Sequence, residues 1–196
     1  IYEPFLGTPT RFEGYDRLRS DGLRVLALFH EGRKVERLHQ GQQGEILLDR
    51  TPFYAEAGGQ TGDTGILKNA HFSGRVEGTY YPLPELIVHR VAVLSGEIRD
   101  GGELEAAVDE DRRSALRRNH TATHLLHASL RQILGDHVKQ AGSLVLPERL
   151  RFDFTHFAAL SPEESRKVEA LVNRKIREDL PVETRVMTLE EGLKAG

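Results

Sequence analysis

Three histidines with helical spacing are the residues of this sequence whose types most directly suggest chemistry. They are His120, His124 and His127, within the stretch Arg118–Ser143, which reads RNHTATHLLHASLRQILGDHVKQAGS. At about 100° per residue they lie on one side of a helix, whereas the apolar residues of the stretch are centred on another side. His120 and His124 stand at i and i+4, which allows two imidazoles to bind one metal ion. The alternative is a solvated polar face, because two ligands alone do not make a zinc site.

A second candidate is the glycine-rich segment Thr51–Gly65, whose centre reads Ala57-Gly-Gly-Gln-Thr61. No large apolar side chain occurs in that centre, so its backbone amides can approach a ligand and hold an oxyanion, a carboxylate or a phosphate. The simpler interpretation is a turn at a barrel corner that needs glycine for positive φ. The segment is not a phosphate-binding loop of the Gly-x-x-x-x-Gly-Lys type, because no Lys-Ser or Lys-Thr follows.

A third feature is a run of arginines leading into the histidine stretch: Arg112, Arg113, Arg117 and Arg118. They suit a helix surface balanced by Asp109–Asp111, and they equally suit contact with an RNA backbone. Further on, Arg151 stands two residues from Asp153, which allows a salt bridge or a second phosphate contact. The sequence leaves these interpretations open.

Length and composition restrict the class of protein. The 196 residues, 38% of them hydrophobic, are enough for one large domain or two small ones with a real core. The net charge of −3 exerts no general attraction on nucleic acid, so such binding has to rest on a local patch. No apolar run approaches the roughly 18 residues of a membrane span, and the absence of cysteine excludes disulfides and thiolate ligands within the chain. Because the chain starts at Ile1 without a secretory signal, we expect a soluble, intracellular piece of a longer protein.

The distribution of glycine divides the chain. Fifteen of the 19 glycines lie in residues 1–108, where short β-rich runs alternate with turn signals. This pattern is typical of a small barrel or sandwich, so residues 1–108 are predicted to form a β-barrel subdomain carrying the Gly-Gly-Gln loop. The predicted strands are Leu23–His30, Gly44–Leu48, Gly65–Leu67, Phe72–Thr79, Leu86–Val93 and Leu104–Val108.

Residues 109–196 change to a helical period and are predicted as the second domain. Asp109–Leu134 is predicted as a long helix whose first turn is acidic, as the helix dipole favours. Ser161 opens another helix, with proline at its first position and a capping-box glutamate, which runs to about Asp179. The remaining predicted features are the strands Gly142–Leu146, Leu150–Thr155 and Val182–Met187, and a last helix capped by Thr188. Helices laid on an antiparallel sheet make this an α+β fold with two layers.

Taken together, these motifs closely resemble the editing domain of alanyl-tRNA synthetases. The resemblance is carried by Thr51–Gly65, by Asn119-His-Thr-Ala-Thr-His-Leu-Leu-His127 and by His137-Val-Lys-Gln-Ala-Gly-Ser143, and it extends over almost the whole chain. Phe12-Glu-Gly-Tyr-Asp16 is similar to the first strand of that domain, and Arg151-Phe-Asp-Phe-Thr-His156 to part of its core hairpin. The histidine motif also occurs in free-standing trans-editing proteins and in threonyl enzymes. The long N-terminal barrel is more similar to the alanyl enzyme.

The resemblance implies a function and roles for particular residues. It implies hydrolysis of the ester that links wrongly attached serine or glycine to alanine tRNA, in the cytoplasm, within a ligase whose ATP- and magnesium-dependent core lies in other domains. His120 and His124 resemble two zinc ligands of the family, Gln140 resembles a residue that orients substrate or water, and Thr123 is placed to contact the amino acid. The loop that shapes the amino-acid pocket is matched by Gly58, Gly59 and Gln60. The expected tRNA contacts are Arg117, Arg118 and Arg151. His127 has no ligand role in the family pattern.

The family's other two zinc ligands belong to a Cys-x-x-x-His motif that is not found in these 196 residues. We therefore expect zinc to bind this chain weakly or not at all unless His156, Asp153 or solvent completes the shell, and we expect weak deacylation by the chain alone. Two alternatives stay open, a free-standing trans-editing deacylase and a non-catalytic tRNA-binding module.

Overall fold

The structure is a computed structural model that describes residues 1–182, 185 and 187–195. Part of the strand predicted over Val182–Met187 lies outside the described residues. The strands of the first half are β1 (Arg11–Phe12), β2 (Arg19–His30), β3 (Arg33–Val35), β4 (Arg37–His39), β5 (Gln43–Leu48), β6 (Arg50–Thr51), β7 (Gly65–Asn69), β8 (Phe72–Leu83), β9 (Leu86–Arg99) and β10 (Glu103–Val108). The second half contains α1 (Glu110–Leu134), β11 (Gln140–Val145), β12 (Leu150–Phe154), α2 (Pro162–Glu178) and α3 (Leu189–Ala195).

Six antiparallel strands close into a barrel in the order β10-β7-β8-β9-β5-β2, because β10 pairs both with β7 and with β2. These six are the strands that the sequence predicted, and each is longer than predicted by one to six residues at one end. Of the two folds that the sequence left open, a barrel and a sandwich, the structure therefore shows the barrel. The short strands β3, β4 and β6 were not predicted, because two or three residues are too few to show an alternating pattern. The strand expected at Phe12–Asp16 from the resemblance is shorter and starts one residue earlier, since β1 is Arg11–Phe12 and a turn occupies residues 14–16.

The barrel interior is filled by aliphatic and aromatic side chains that alternate along each strand. In β2 the buried positions Leu23 and Val25 are separated by an exposed residue, as a strand with one face toward a core requires. The main cluster also contains Ile46, Leu48, Phe53, Leu67, Phe72, Val76, Val91 and Leu104. The barrel interior is therefore packed and leaves no channel, so a ligand has to bind outside the barrel.

The helices begin and end where the sequence predicted. The Asp109 side chain accepts a hydrogen bond from the Arg112 amide at 3.0 Å, and α1 ends at Gly135, whose φ is 115°. Ser161 and Glu164 form a reciprocal capping box at the start of α2. Thr188 and Glu191 make the same exchange at the start of α3.

Helix α1 packs both on the hairpin of β11 and β12 and on α2, and the helices and the hairpin give the second half its two layers. Their shared core contains Leu130, Val138 and Val168, with Leu126 and Phe154 packed against it. The α+β prediction is confirmed. Within the described part of the chain, none of the helices combines the length and apolar character needed to cross a membrane.

Candidate functional site

The glycine-rich segment contains a tight hairpin turn at Ala57–Gln60. The backbones of Ala57 and Gln60 exchange hydrogen bonds of 3.2 and 3.0 Å, and the two central glycines have φ of 60° and 82°. Positive φ at both central positions is the geometry of a type I′ turn, which strongly prefers glycine. The turn interpretation is confirmed, and a ligand-binding role for the same loop stays a prediction.

The turn docks on the hairpin of the second half. The Gly59 carbonyl accepts a hydrogen bond of 2.8 Å from the Val145 amide, and the Val145 carbonyl accepts one of 3.2 Å from Thr61. A Cβ at Gly59 would lie 2.5 Å from the Ser143 carbonyl oxygen, whereas one at Gly58 would meet nothing within 4 Å. Gly59 is therefore required both by its backbone conformation and by close packing, and Gly58 by its conformation alone.

Gln60 contacts a histidine of the candidate metal pair. Its side chain is only 5% exposed, and its Oε1 lies 2.7 Å from Nδ1 of His120. An amide oxygen accepts, so this contact holds the ring proton on Nδ1 and leaves the lone pair on Nε2 free. Burial, and then the neighbouring His124, lower the pKa of His120, so its imidazole is neutral at neutral pH.

The rings of His120 and His124 are stacked, with centroids 5.1 Å apart and planes inclined by 15°. This confirms that the i, i+4 spacing puts both imidazoles on one helix face. Two imidazoles with this spacing fit half of the ligand shell of zinc. Among the described residues, no group of three or more His, Asp or Glu side chains is placed to hold a metal ion.

The two side chains named as possible further ligands, His156 and Asp153, are engaged elsewhere. Nδ1 of His156 lies 2.9 Å from Nε2 of His137, and the Asp153 carboxylate accepts a hydrogen bond of 3.1 Å from Arg151. Neither forms part of a candidate ligand group with His120 and His124 among the described residues. Further ligands for a metal at this pair would have to come from solvent or from residues that the structure does not describe.

A small polar cavity of about 40 Å³ joins the turn, the histidine face of α1 and the start of β11. Its wall includes Gly58, His120, Thr123, His124, His127 and Gln140. Five of these six residues were predicted site residues, so the fold brings together positions that are far apart in sequence. The Thr123 hydroxyl donates to the Asn119 carbonyl at 2.8 Å, which leaves its oxygen lone pairs for a ligand.

His127 has a place in this cavity that the family pattern did not suggest. Its ring packs on Phe152 with centroids 5.1 Å apart, and its Nε2 atom is buried without a hydrogen-bond partner among the described residues. The signal available in the sequence was its position three residues after His124, on the same helix face. The sequence analysis assigned His127 no function in spite of that position.

Arg113 is a buried residue and not part of the helix surface, so both interpretations of it as a surface arginine were wrong. Its guanidinium donates to both carboxylate oxygens of Asp63, and to the carbonyls of Gly14 and Pro52 at 2.8 and 2.9 Å. Arg113 is 7% exposed and Asp63 is 1% exposed. Because Asp63 follows Gln60 by three residues, this ion pair fixes the glycine-rich segment against α1.

The expected tRNA-contacting arginines are on the surface. Arg117 and Arg118 are exposed on α1, and Arg151 is exposed on β12, where it pairs with Asp153. Tyr15 is 88% exposed, and its ring meets Phe12 edge to face at 4.9 Å. An exposed aromatic ring together with arginines is suited to contact RNA, although sequence reasoning had not singled out Tyr15.

The chain matches the family described as tRNA synthetases class II (A) over residues 4–112, which is more than half of its length. It therefore belongs to the class II (A) tRNA synthetases. Over 198 aligned residues, which cover 100% of this chain, it is 50% identical to the alanine–tRNA ligase of Nitratidesulfovibrio vulgaris (strain ATCC 29579 / DSM 644 / CCUG 34227 / NCIMB 8303 / VKM B-1760 / Hildenborough). The chain is a homologue of alanine–tRNA ligase and spans 22% of the length of that relative.

Proposed function

We propose that this chain is the part of an alanine–tRNA ligase that edits, by hydrolysing the ester between alanine tRNA and a wrongly attached serine or glycine. The observation that carries the proposal is the polar cavity in which the glycine turn meets His120, His124 and Gln140. The identity of 50% to an alanine–tRNA ligase over the whole chain supports the choice of tRNA.

The chemistry of alanine explains why such a ligase needs a second site. A pocket shaped for alanine cannot exclude the smaller glycine sterically, and a single added hydroxyl gives little discrimination against serine. A separate hydrolytic site that admits serine and glycine corrects both errors after the ester has formed. Attachment of alanine, with ATP and magnesium, is proposed for other parts of the ligase.

In the proposed reaction each group of the cavity has a role of its own. His120 and His124 would hold zinc, which supplies Lewis-acid and orienting chemistry when it is bound. Gln60 keeps His120 in the tautomer whose Nε2 faces a ligand. Gln140 orients the substrate or the water through its side-chain amide, and Thr123 offers its oxygen to the amino acid.

The turn contributes backbone groups. In a type I′ turn the amides of the two central residues are not used by the turn itself, so Gly58 and Gly59 are left with N–H groups on its outer side. Such amides stabilise the negative charge that develops on an ester oxygen during hydrolysis. Gly58 is exposed and borders the cavity, which supports a contact between this residue and the substrate.

The RNA is proposed to approach over α1. Arg117 lies between Arg113 and His120 along the same side of the helix and is exposed, so it is placed to meet a phosphate next to the cavity. Tyr15 lies beside Gly14, whose carbonyl binds Arg113, and offers an exposed ring for an unpaired base.

The test is hydrolysis of serine-charged alanine tRNA, measured with the 196-residue chain and with an extended chain of the length of the relative. We expect the extended chain to release serine much faster than buffer, and the 196-residue chain to release it weakly. An extended chain that binds alanine tRNA without releasing serine would contradict the proposal and favour a non-catalytic tRNA-binding module.

A further inference from the structure

Among the histidines that line the cavity, His127 has no role in the reaction proposed above. His120 is bound to Gln60, and His124 stacks on His120. The Nε2 atom of His127 is buried, and no described residue bonds to it. A buried polar atom without a partner costs about 1–3 kcal/mol, so proteins rarely leave one unpaired.

The space beside the ring has the size and polarity that an ordered water needs. A buried water needs a cavity of roughly 10–15 Å³ and two to four polar partners. The cavity of about 40 Å³ exceeds that size, and Thr123, Gln140 and Ser143 supply polar groups on its wall. Phe152 packs on the imidazole, which fixes the ring against this wall.

We propose that His127 is a catalytic residue of the editing reaction, which binds the attacking water through Nε2. This rests on the proposed function of the site. The water oxygen bonds to the ester carbonyl carbon while Nε2 accepts one proton of the water. The bond from that carbon to the ribose oxygen then breaks, and the ribose oxygen takes the proton from Nε2. The products are the free amino acid and a tRNA with its terminal hydroxyl restored.

The assignment separates His127 from His120 and His124. Those two residues would hold a metal ion, whereas His127 uses its Nε2 lone pair toward water. The role requires the ring proton on Nδ1, because an Nε2 that carries the proton cannot accept another from water. Sequence position alone gave no such distinction, since all three histidines share one helix face.

The first test is kinetic and uses the extended chain with serine-charged alanine tRNA. His127→Phe keeps a planar aromatic ring beside Phe152 but has no Nε2. We expect kcat to fall by about 10²-fold or more with KM nearly unchanged, the size of effect that general-base catalysis has. Its free energy of unfolding should not decrease, because Nε2 has no bond to another described residue that the substitution could break. His71→Phe, an exposed histidine of the barrel, is the matched control and should keep the full kcat.

Failure of this inference can be told from failure of the proposed function. If unaltered protein releases serine and His127→Phe does so with the same kcat, His127 has no catalytic role although the editing function stands. If the unaltered protein releases none, both fall. A second test does not use activity: nitrogen NMR of the histidine-labelled chain should place the His127 ring proton on Nδ1. A proton on Nε2 would overturn the assignment.

Discussion

The Gln60 Oε1 atom lies 2.7 Å from Nδ1 of His120, and this contact joins the barrel to the histidine helix. Gln60 belongs to a turn that strongly prefers glycine at its two central positions, and His120 belongs to a helix that starts after the last barrel strand. The candidate site therefore exists only where the two halves of the chain meet. Its geometry depends on the fit between them as much as on the residues themselves.

Replacing Gln60 tests whether this contact prepares His120 for a metal. Gln60→Leu removes the acceptor that holds the ring proton on Nδ1, so zinc affinity of the extended chain should fall about 10- to 100-fold. Gln60→Glu keeps an acceptor and should bind zinc at least as tightly as the unaltered chain. Competition with a chromophoric chelator measures both, with Gln132→Leu on the exposed side of α1 as control. Equal affinities for all variants would remove Gln60 from the metal site.

Replacing Arg113 tests whether the buried ion pair holds the two halves together. Arg113→Met leaves the Asp63 carboxylate buried without its partner, which should lower the free energy of unfolding by about 3–5 kcal/mol. Arg117→Met removes an exposed arginine one turn further along and should change it by less than about 0.5 kcal/mol. Urea unfolding measures both. Adding Asp63→Asn to Arg113→Met should restore part of the loss, and a double variant as unstable as the sum of the single variants would show that the pair is not coupled.

Replacing the two glycines of the turn separates conformation from packing. Gly58→Ala places alanine at a φ of 60°, which costs about 1–2 kcal/mol, and its Cβ meets nothing. Gly59→Ala has the same kind of conformational cost, and in addition its Cβ would lie 2.5 Å from the Ser143 carbonyl. We therefore expect Gly59→Ala to be the less stable protein in urea unfolding. Equal losses would mean that the turn can move away from Ser143 without cost.

Much of this arrangement could be predicted from the sequence. The six barrel strands and the caps at Asp109 and Ser161 follow from local patterns, and local patterns are what a sequence displays directly. The common face of His120 and His124 follows from helix geometry in the same way.

Other features depend on contacts between distant residues. Arg113 has the same local signature as its exposed neighbours, and only the closure of the barrel places Asp63 within reach of it. The burial of the His127 Nε2 atom could not be predicted either, because its environment is formed by Phe152 on a later strand. Periodicity predicts which residues share a face of a helix, but it does not predict which distant residues pack on that face.

The barrel core contains a histidine that should make stability depend on pH. His89 is fully buried, with Nε2 2.8 Å from the Thr51 hydroxyl and Nδ1 3.0 Å from the Ile46 carbonyl. Burial lowers its pKa from 6.5 to about 4. The unfolded chain therefore binds a proton at a higher pH than the folded chain, so this stability is complete above pH 6.5 and is lost as pH falls toward 4. The loss is on the order of 3 kcal/mol.

Urea unfolding between pH 7 and pH 4 measures this dependence. His89→Gln removes the titrating group and should flatten the slope between pH 6.5 and 4, although its absolute stability is lower. His71→Gln replaces an exposed histidine and should keep the slope of the unaltered chain. A His89→Gln variant with an unchanged slope would show that other groups cause the acid sensitivity.

The measurement that tests the central claim most directly compares two reactions of one variant. In a ligase that contains this chain, His124→Ala removes one imidazole of the stacked pair and leaves the proposed alanine-attaching parts unaltered. The editing proposal predicts that this variant charges alanine tRNA with alanine at the normal rate, while serine-charged alanine tRNA persists instead of being hydrolysed. Hydrolysis of the serine ester at the rate of the unaltered enzyme would contradict the proposal, because it would exclude His124 from the reaction.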